Sequence, residues 1–171
     1  MAARAAIALG SNLGDRNANL QVAIDHLALL GRVAAVSGFH DTTPVGYLDQ
    51  PRFLNAAAVL ETVLSPLELL RALLVIEQTM GRVRAGVPAK GPRVVDLDLL
   101  LYDDLILSSA ELTLPHPAMH ERAFVLAPLA EIAPEWVHPV AGKTVAELLS
   151  ALCSQAALIK SETFPLRLKP H

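Results

Sequence analysis

The chain has 171 residues and a mass of 18.2 kDa, which is room for one domain with its own core. A net charge of −3 argues against a broad nucleic-acid surface, and although 53% of the residues are hydrophobic, charges and prolines break every apolar run well short of a membrane span. The only cysteine, Cys153, can make neither an internal disulfide nor a zinc cluster, so a reducing cytoplasm is expected, and its neighbours Leu149 and Leu152 predict a packed, unreactive thiol.

Residues 5–9 read as a short buried strand, too short for the apolar core of a signal peptide, and end at the turn-forming Gly10-Ser11-Asn12. A helix follows from about Asp15, with Leu20, Ile24 and Leu27 on one face and Gly31 as its stop. Residues 33–39 are the next strand, residues 42–53 a loop rich in Pro, Gly and Asp, and residues 55–62 a strand again. Ser65-Pro66-Leu67-Glu68 is a capping box with Pro at the first helical position, and Leu69, Leu73, Ile76 and Met80 then recur at helical spacing up to Gly81. Between residues 82 and 93 lies a basic Gly- and Pro-containing loop, with Arg82, Arg84, Lys90 and Arg93 and no acid. Residues 94–102 form a strand, and a second capping box, Thr144 with Glu147, opens a last helix through Leu152. The order predicts an α+β fold: a ferredoxin-like βαββαβ core whose antiparallel sheet carries packed helices, with a C-terminal extension. One domain spans 1–171, with its core at about 5–153 and a peripheral tail at 154–171.

The sharpest chemical feature is Asp96-Leu97-Asp98. In a strand, residues two apart share a face, so the two carboxylates project together while Val95, Leu97, Leu99 and Leu101 turn to the core. Paired carboxylates repel unless a cation lies between them, and magnesium is an oxygen-seeking cation that brings phosphates with it. The plainer alternative is a solvated polar strand face, and the adjoining Arg93 and basic loop weigh against it. That loop suits a lid over phosphates, since the arginine fork matches phosphate oxygens in two-point contacts. Loop charges that are merely solvated are its alternative. His116, in Leu114-Pro115-His116-Pro117, is either a phosphate ligand or a histidine capping a turn, and Phe53 and Asn55 could hold a flat heterocycle or simply pack inward. Gly142-Lys143-Thr144 resembles the end of a phosphate-binding P-loop, but Val137 stands where its first glycine belongs, so a turn and helix cap are expected. His116, His120 and His138 match no zinc spacing.

Taken together, residues 7–15, 42–55, 76–84, 91–102, 114–126 and 128–134 resemble the 6-hydroxymethyl-7,8-dihydropterin pyrophosphokinase family, in order and with few gaps. The resemblance implies a folate-pathway enzyme in which the pterin's hydroxymethyl oxygen attacks the β-phosphorus of ATP and AMP leaves. It implies two Mg2+ ions on Asp96 and Asp98, with Arg82 and Arg93 closing on the phosphates and Arg84 assisting. His116 and Arg122 are expected at the ATP phosphates, and Glu77 is expected at the ATP site with them. Phe53 and Phe124 would sandwich the pterin, Asn55 would bond its edge, and Thr42, Thr43, Pro44 and Val45 would add contacts. The turn at Gly10-Ser11-Asn12 would support the site. Small-molecule substrates, no nucleic-acid or membrane partner, and a monomer are expected. Lys90, Pro88, Glu111 and Pro117 depart from familiar members and bear on loop closure and nucleotide affinity.

Overall fold

The computed structural model describes residues 1–42, 52–81 and 94–163, with side chains 42 and 156–163 left aside. Strand β1 (Ala3–Ser11) lies at the centre of the sheet, and helix α1 (Arg16–Leu27) starts where Asp15 accepts the Ala18 amide at 3.1 Å. The helix buries Leu20, Ala23 and Leu27 and has ended by Ala28, three residues before Gly31. Gly31 therefore does not stop the helix. It lets the chain pass against the next strand, where a Cβ would stand 2.1 Å from the Glu61 carbonyl oxygen.

The strand expected at 33–39 stops at Val36 as β2 (Arg32–Val36), and an unpredicted short strand, β3 (His40–Thr42), follows it along the same edge of β4 (Phe53–Thr62). Ser37 makes the break: its amide donates to the Ala57 carbonyl, while its hydroxyl accepts the Ala57 amide at 2.9 Å and donates to Gly38. Helix α2 (Pro66–Gly81) opens with the reciprocal bonds of its capping box, Ser65 amide to Glu68 at 2.8 Å and Glu68 amide to Ser65 at 3.2 Å. Strand β5 (Asp96–Tyr102) returns beside β1, giving the antiparallel order β2-β4-β1-β5. That is the ferredoxin-like arrangement the element order predicts.

Further elements escape the periodicity. Strands β6 (Leu107–Ser108) and β7 (Thr113–Leu114) make a small hairpin, and α3 (Ala123–Ile132) forms despite Pro128 within it. Helix α4 (Val145–Thr163) begins at the predicted Thr144–Glu147 box, whose two bonds are 2.8 and 3.1 Å. It runs past Leu152 because nothing between there and Pro165 is Gly or Pro. Its packed stripe, Val145 and Leu148, fades to half-buried Leu149 and Leu152, and Cys153 is exposed rather than packed.

The sheet carries a core on each face. Ile7, Leu9, Leu54, Leu60, Leu97 and Leu99 pack with α1 and α2, while Ala6, Ala57, Val59, Leu100 and Leu101 pack with α3 and α4. Leu101 thus faces away from Leu97 and Leu99, contrary to strict alternation. Ala6 pairs with Leu101 and Ile7 with Leu99, so Leu100 is an extra residue and the strand's parity changes at this bulge.

Candidate active site

Strand register assembles the site. Gly10 of β1 is opposite Asn55 of β4 on one side and Asp96 of β5 on the other; one step along, Ala8 is opposite Ala57 and Asp98. Residues paired across strands share a face, and Ala6 and Ala57 fix it as the α3/α4 face. Asp96 and Asp98 therefore do project together, both half-buried, in line with Asn55. Phe53, two residues before Asn55, belongs to the same face. A Cβ on Gly10 would lie 3.1 Å from Asn55 Oδ1, a tight approach, and 3.6 Å from the Phe53 ring, an ordinary contact, so the missing side chain chiefly makes room for Asn55.

The turn after β1 is held from below. Ser11 and Asn12 are fully buried, and the Asn19 amide donates to Ser11 Oγ at 3.1 Å and to the Leu13 carbonyl at 2.7 Å. This is the support expected of Gly10-Ser11-Asn12. Glu77 has a task within the fold: the Leu97 amide donates to its carboxylate at 2.6 Å, tying α2 to β5 between the two aspartates.

His116 follows β7 and is anchored by its amide, which donates to the Leu100 carbonyl at 2.9 Å. Its Nδ1 accepts the Ala118 amide at 3.1 Å, so the turn-capping expectation holds and the neutral ring carries its proton on Nε2. Burial pushes its pKa down; the Asp98 charge opposes this and Arg122 adds to it. The ring therefore shares one local field with an aspartate of the acidic pair and with Arg122. Turn-capping and proximity to Asp98 coexist, because they use different parts of the residue. Arg122 precedes α3, and its guanidinium lies 5.8 Å from the centre of the Phe124 ring.

Of the residues singled out by sequence, Phe53, Asn55, Asp96 and Asp98 come together on one sheet face, and His116 lies within the fields of both Asp98 and Arg122. Thr42 pairs with Phe53 through the backbone. Thr43, Pro44, Val45, Arg82, Arg84 and Arg93, with Lys90 and Pro88, lie outside the described residues. Glu111 forks onto Arg71 of α2 at 3.0 and 3.2 Å, so this departure has a structural partner of its own. Gly142, Lys143 and Thr144 form a turn and helix cap, as expected. Among the described residues no group of three or more metal-ligating side chains exists, and no helix is long and apolar enough to cross a membrane.

Sequence reasoning missed two linkages at the rim. Glu131 of α3 accepts the Gly38 amide at 2.9 Å and bonds His40 at 2.5 Å. Asp41 is held by Arg16 and Arg52. The second had a signal: opposite charges at the two ends of one loop.

The family model described as 7,8-dihydro-6-hydroxymethylpterin-pyrophosphokinase (HPPK) matches residues 6–134. A "2-amino-4-hydroxy-6-hydroxymethyldihydropteridine pyrophosphokinase" of Methylorubrum extorquens is 48% identical over 151 residues, covering 87% of this chain and 93% of its own. A protein of the same name from Pseudomonas aeruginosa is 45% identical over 153 residues, covering 88% and 93%. The "Folic acid synthesis protein fol1" of Schizosaccharomyces pombe is 43% identical over 157 residues; the match takes in 91% of this chain but spans only 21% of that longer protein. In structure, a Plasmodium falciparum HPPK-DHPS chain solved with pterin and p-hydroxybenzoate superposes with a TM-score of 0.72 at 17% identity. That match covers 99% of this chain and 46% of the other, and it speaks to the fold alone.

Proposed function

This chain belongs to the 7,8-dihydro-6-hydroxymethylpterin-pyrophosphokinase family, acting on hydroxymethyldihydropterin in folate biosynthesis with ATP as co-substrate, and we propose how its residues divide that work. The new bond joins the pterin's hydroxymethyl oxygen to the β-phosphorus of ATP, and AMP leaves. Such a transfer asks for positioning and charge neutralisation more than for covalent chemistry by the protein. Phe53 and Phe124 stack the pterin ring, Asn55 bonds its edge, and Thr42, Thr43, Pro44 and Val45 complete the pocket.

Asp96 and Asp98 hold magnesium, expected as two ions. Two carboxylates on one face fit a hard cation that takes its remaining oxygens from phosphates and water. Bound there, it neutralises charge on the triphosphate. Arg82, Arg84 and Arg93 bind the phosphates, with Arg122 as a further cation, and Glu77 braces β5 through the Leu97 amide. His116, kept neutral by burial with a proton on Nε2, donates a hydrogen bond to a phosphate oxygen.

The observation that supports this reading is the cross-sheet row Asn55, Gly10, Asp96: the residue proposed to bond the heterocycle and one proposed to hold the metal share a face with a glycine between. A monomer is the assembly we expect, and the single cysteine fits a reducing, cytoplasmic setting. The test is AMP release from ATP by the purified protein, with and without 6-hydroxymethyl-7,8-dihydropterin, in magnesium or in excess chelator. AMP is expected only when pterin and magnesium are both present. AMP undiminished by chelator would remove the metal assignment, and pterin binding without any AMP would make the protein a silent binder.

A further inference from the structure

We propose that Arg16, Asp41 and Arg52 form a clasp that positions Phe53 and so sets the affinity for the pterin, without taking part in ATP binding or the transfer itself. The inference rests on the pyrophosphokinase reading. Asp41 lies in β3, Arg52 immediately before β4, and Arg16 is the first residue of α1. Arg16 forks onto the Asp41 carboxylate, Nη1 to Oδ1 at 3.0 Å and Nη2 to Oδ2 at 3.3 Å, and its Nη1 also donates to the Arg52 carbonyl at 2.8 Å. Arg52 donates from Nε to Asp41 Oδ1 at 3.2 Å and from Nη2 to the Asp41 carbonyl at 3.3 Å. One carboxylate therefore gathers two guanidiniums.

The Arg52 carbonyl belongs to the peptide that leads into Phe53. Held by Arg16, that peptide plane limits how the Phe53 ring can turn above Gly10, where a Cβ would stand 3.6 Å from the ring. Thr42 pairs with Phe53 on the other side. The side chains of Arg16, Asp41 and Arg52 are 29%, 47% and 59% exposed, and ion pairs this open contribute little to global stability. What the five bonds can supply is local: a ring already placed for stacking before the pterin arrives.

Arg16→Ala and Arg52→Ala test this in the full chain, with KM for pterin, KM for ATP, kcat and the thermal midpoint measured beside the wild type. The pterin KM should rise about tenfold while the ATP KM and kcat stay within about twofold, the pattern of lost binding common to ground and transition states. Arg16→Lys should recover part of the loss, since one ammonium cannot fork onto the carboxylate while also holding the carbonyl. An unchanged pterin KM in both alanine variants would overturn the clasp, as would a fall in kcat with an equal rise in both KM values. If the wild type itself releases no AMP with pterin and magnesium, the pyrophosphokinase reading fails, and the clasp with it.

Discussion

The two faces of the sheet are built from alternate residues of the same strands, yet they differ in kind. Towards α1 and α2 the strands present Ile7, Leu9, Leu54, Leu60, Leu97 and Leu99. Towards α3 and α4 they present Ala6, Ala8 and Gly10 on β1, Asn55, Ala57 and Val59 on β4, and Asp96 and Asp98 on β5. The first face carries most of the strands' large apolar side chains, interleaved with Ala5, Ala56 and Ala58, and burying them drives folding. The second keeps Val59, Leu100 and Leu101 at one end and turns small or polar towards Gly10, so the sheet floor is low where Asn55, Asp96 and Asp98 stand. Division by face lets one strand serve both ends: a leucine fixes the position of the aspartate beside it.

That division can be broken from either side. The largest separation is expected between Asp98→Ala and Leu73→Ala. The first should cut kcat/KM at least about a hundredfold with an unchanged unfolding midpoint, the scale of losing one well-placed charge-stabilising group. The second should cost about 2–5 kcal/mol in denaturant unfolding, with kcat/KM retained wherever the protein stays folded. Equal losses of stability in both variants would abolish the distinction between the faces. A smaller effect is expected of Gly10→Ala, which raises the floor at its lowest point. The new methyl would press on Asn55 Oδ1 at 3.1 Å while only touching the Phe53 ring at 3.6 Å, raising the pterin KM more than the ATP KM. A wild-type pterin KM in that variant would show that the low floor is unused.

The smallest effect concerns His138, in the loop between α3 and α4. It is 5% exposed, its Nδ1 accepts the Ala141 amide at 3.0 Å and the Val140 amide at 3.3 Å, and burial, aided by nearby His120, pushes its pKa down. The unfolded chain then binds a proton below about pH 6.5 that the folded chain refuses. Stability should be full above that pH and fall as pH drops below it. His138→Gln should flatten the fall in part, leaving the share of His116, whose pKa is lowered likewise. An identical pH profile in the variant would show that the buried ring does not titrate as described.

The fold was legible wherever local signals were self-contained. Both capping boxes form the two bonds their sequences predict, because Ser65 and Glu68, or Thr144 and Glu147, need no distant partner. The helix α3 was not legible: Pro128 reads as a breaker, and the segment is held by burying Val125, Leu126 and Leu129 against the sheet, which periodicity cannot foresee. The exposure of Cys153 was misread for a related reason, since apolar neighbours in sequence say little about where a helix runs beyond its packing. The pairing of Asp96 with Asp98 followed from the two-residue repeat, whereas their alignment with Asn55 depends on register between strands far apart in the chain. The rim contacts at Asp41 and Glu131 are tertiary in the same sense, joining residues up to 93 positions apart.

The bulge at Leu100 bears on how this strand tolerates change in length. Up to Leu99 an odd position means the leucine-filled side; from Leu101 onward the counting is inverted. Every substitution in β5 alters one side chain, whereas a deletion acts through the register. Loss of Leu100, the extra residue, would leave Leu99 opposite Ile7 and Leu101 opposite Ala6 as consecutive pairs, so Asp96, Asp98 and Tyr102 would keep their faces, and with them the bond of the Tyr102 hydroxyl to the Leu64 carbonyl. Loss of Leu97 would instead put the two aspartates on opposite faces, one of them turned into the greasy layer under α2. One missing codon should be tolerated at the spare residue and harmful between the aspartates.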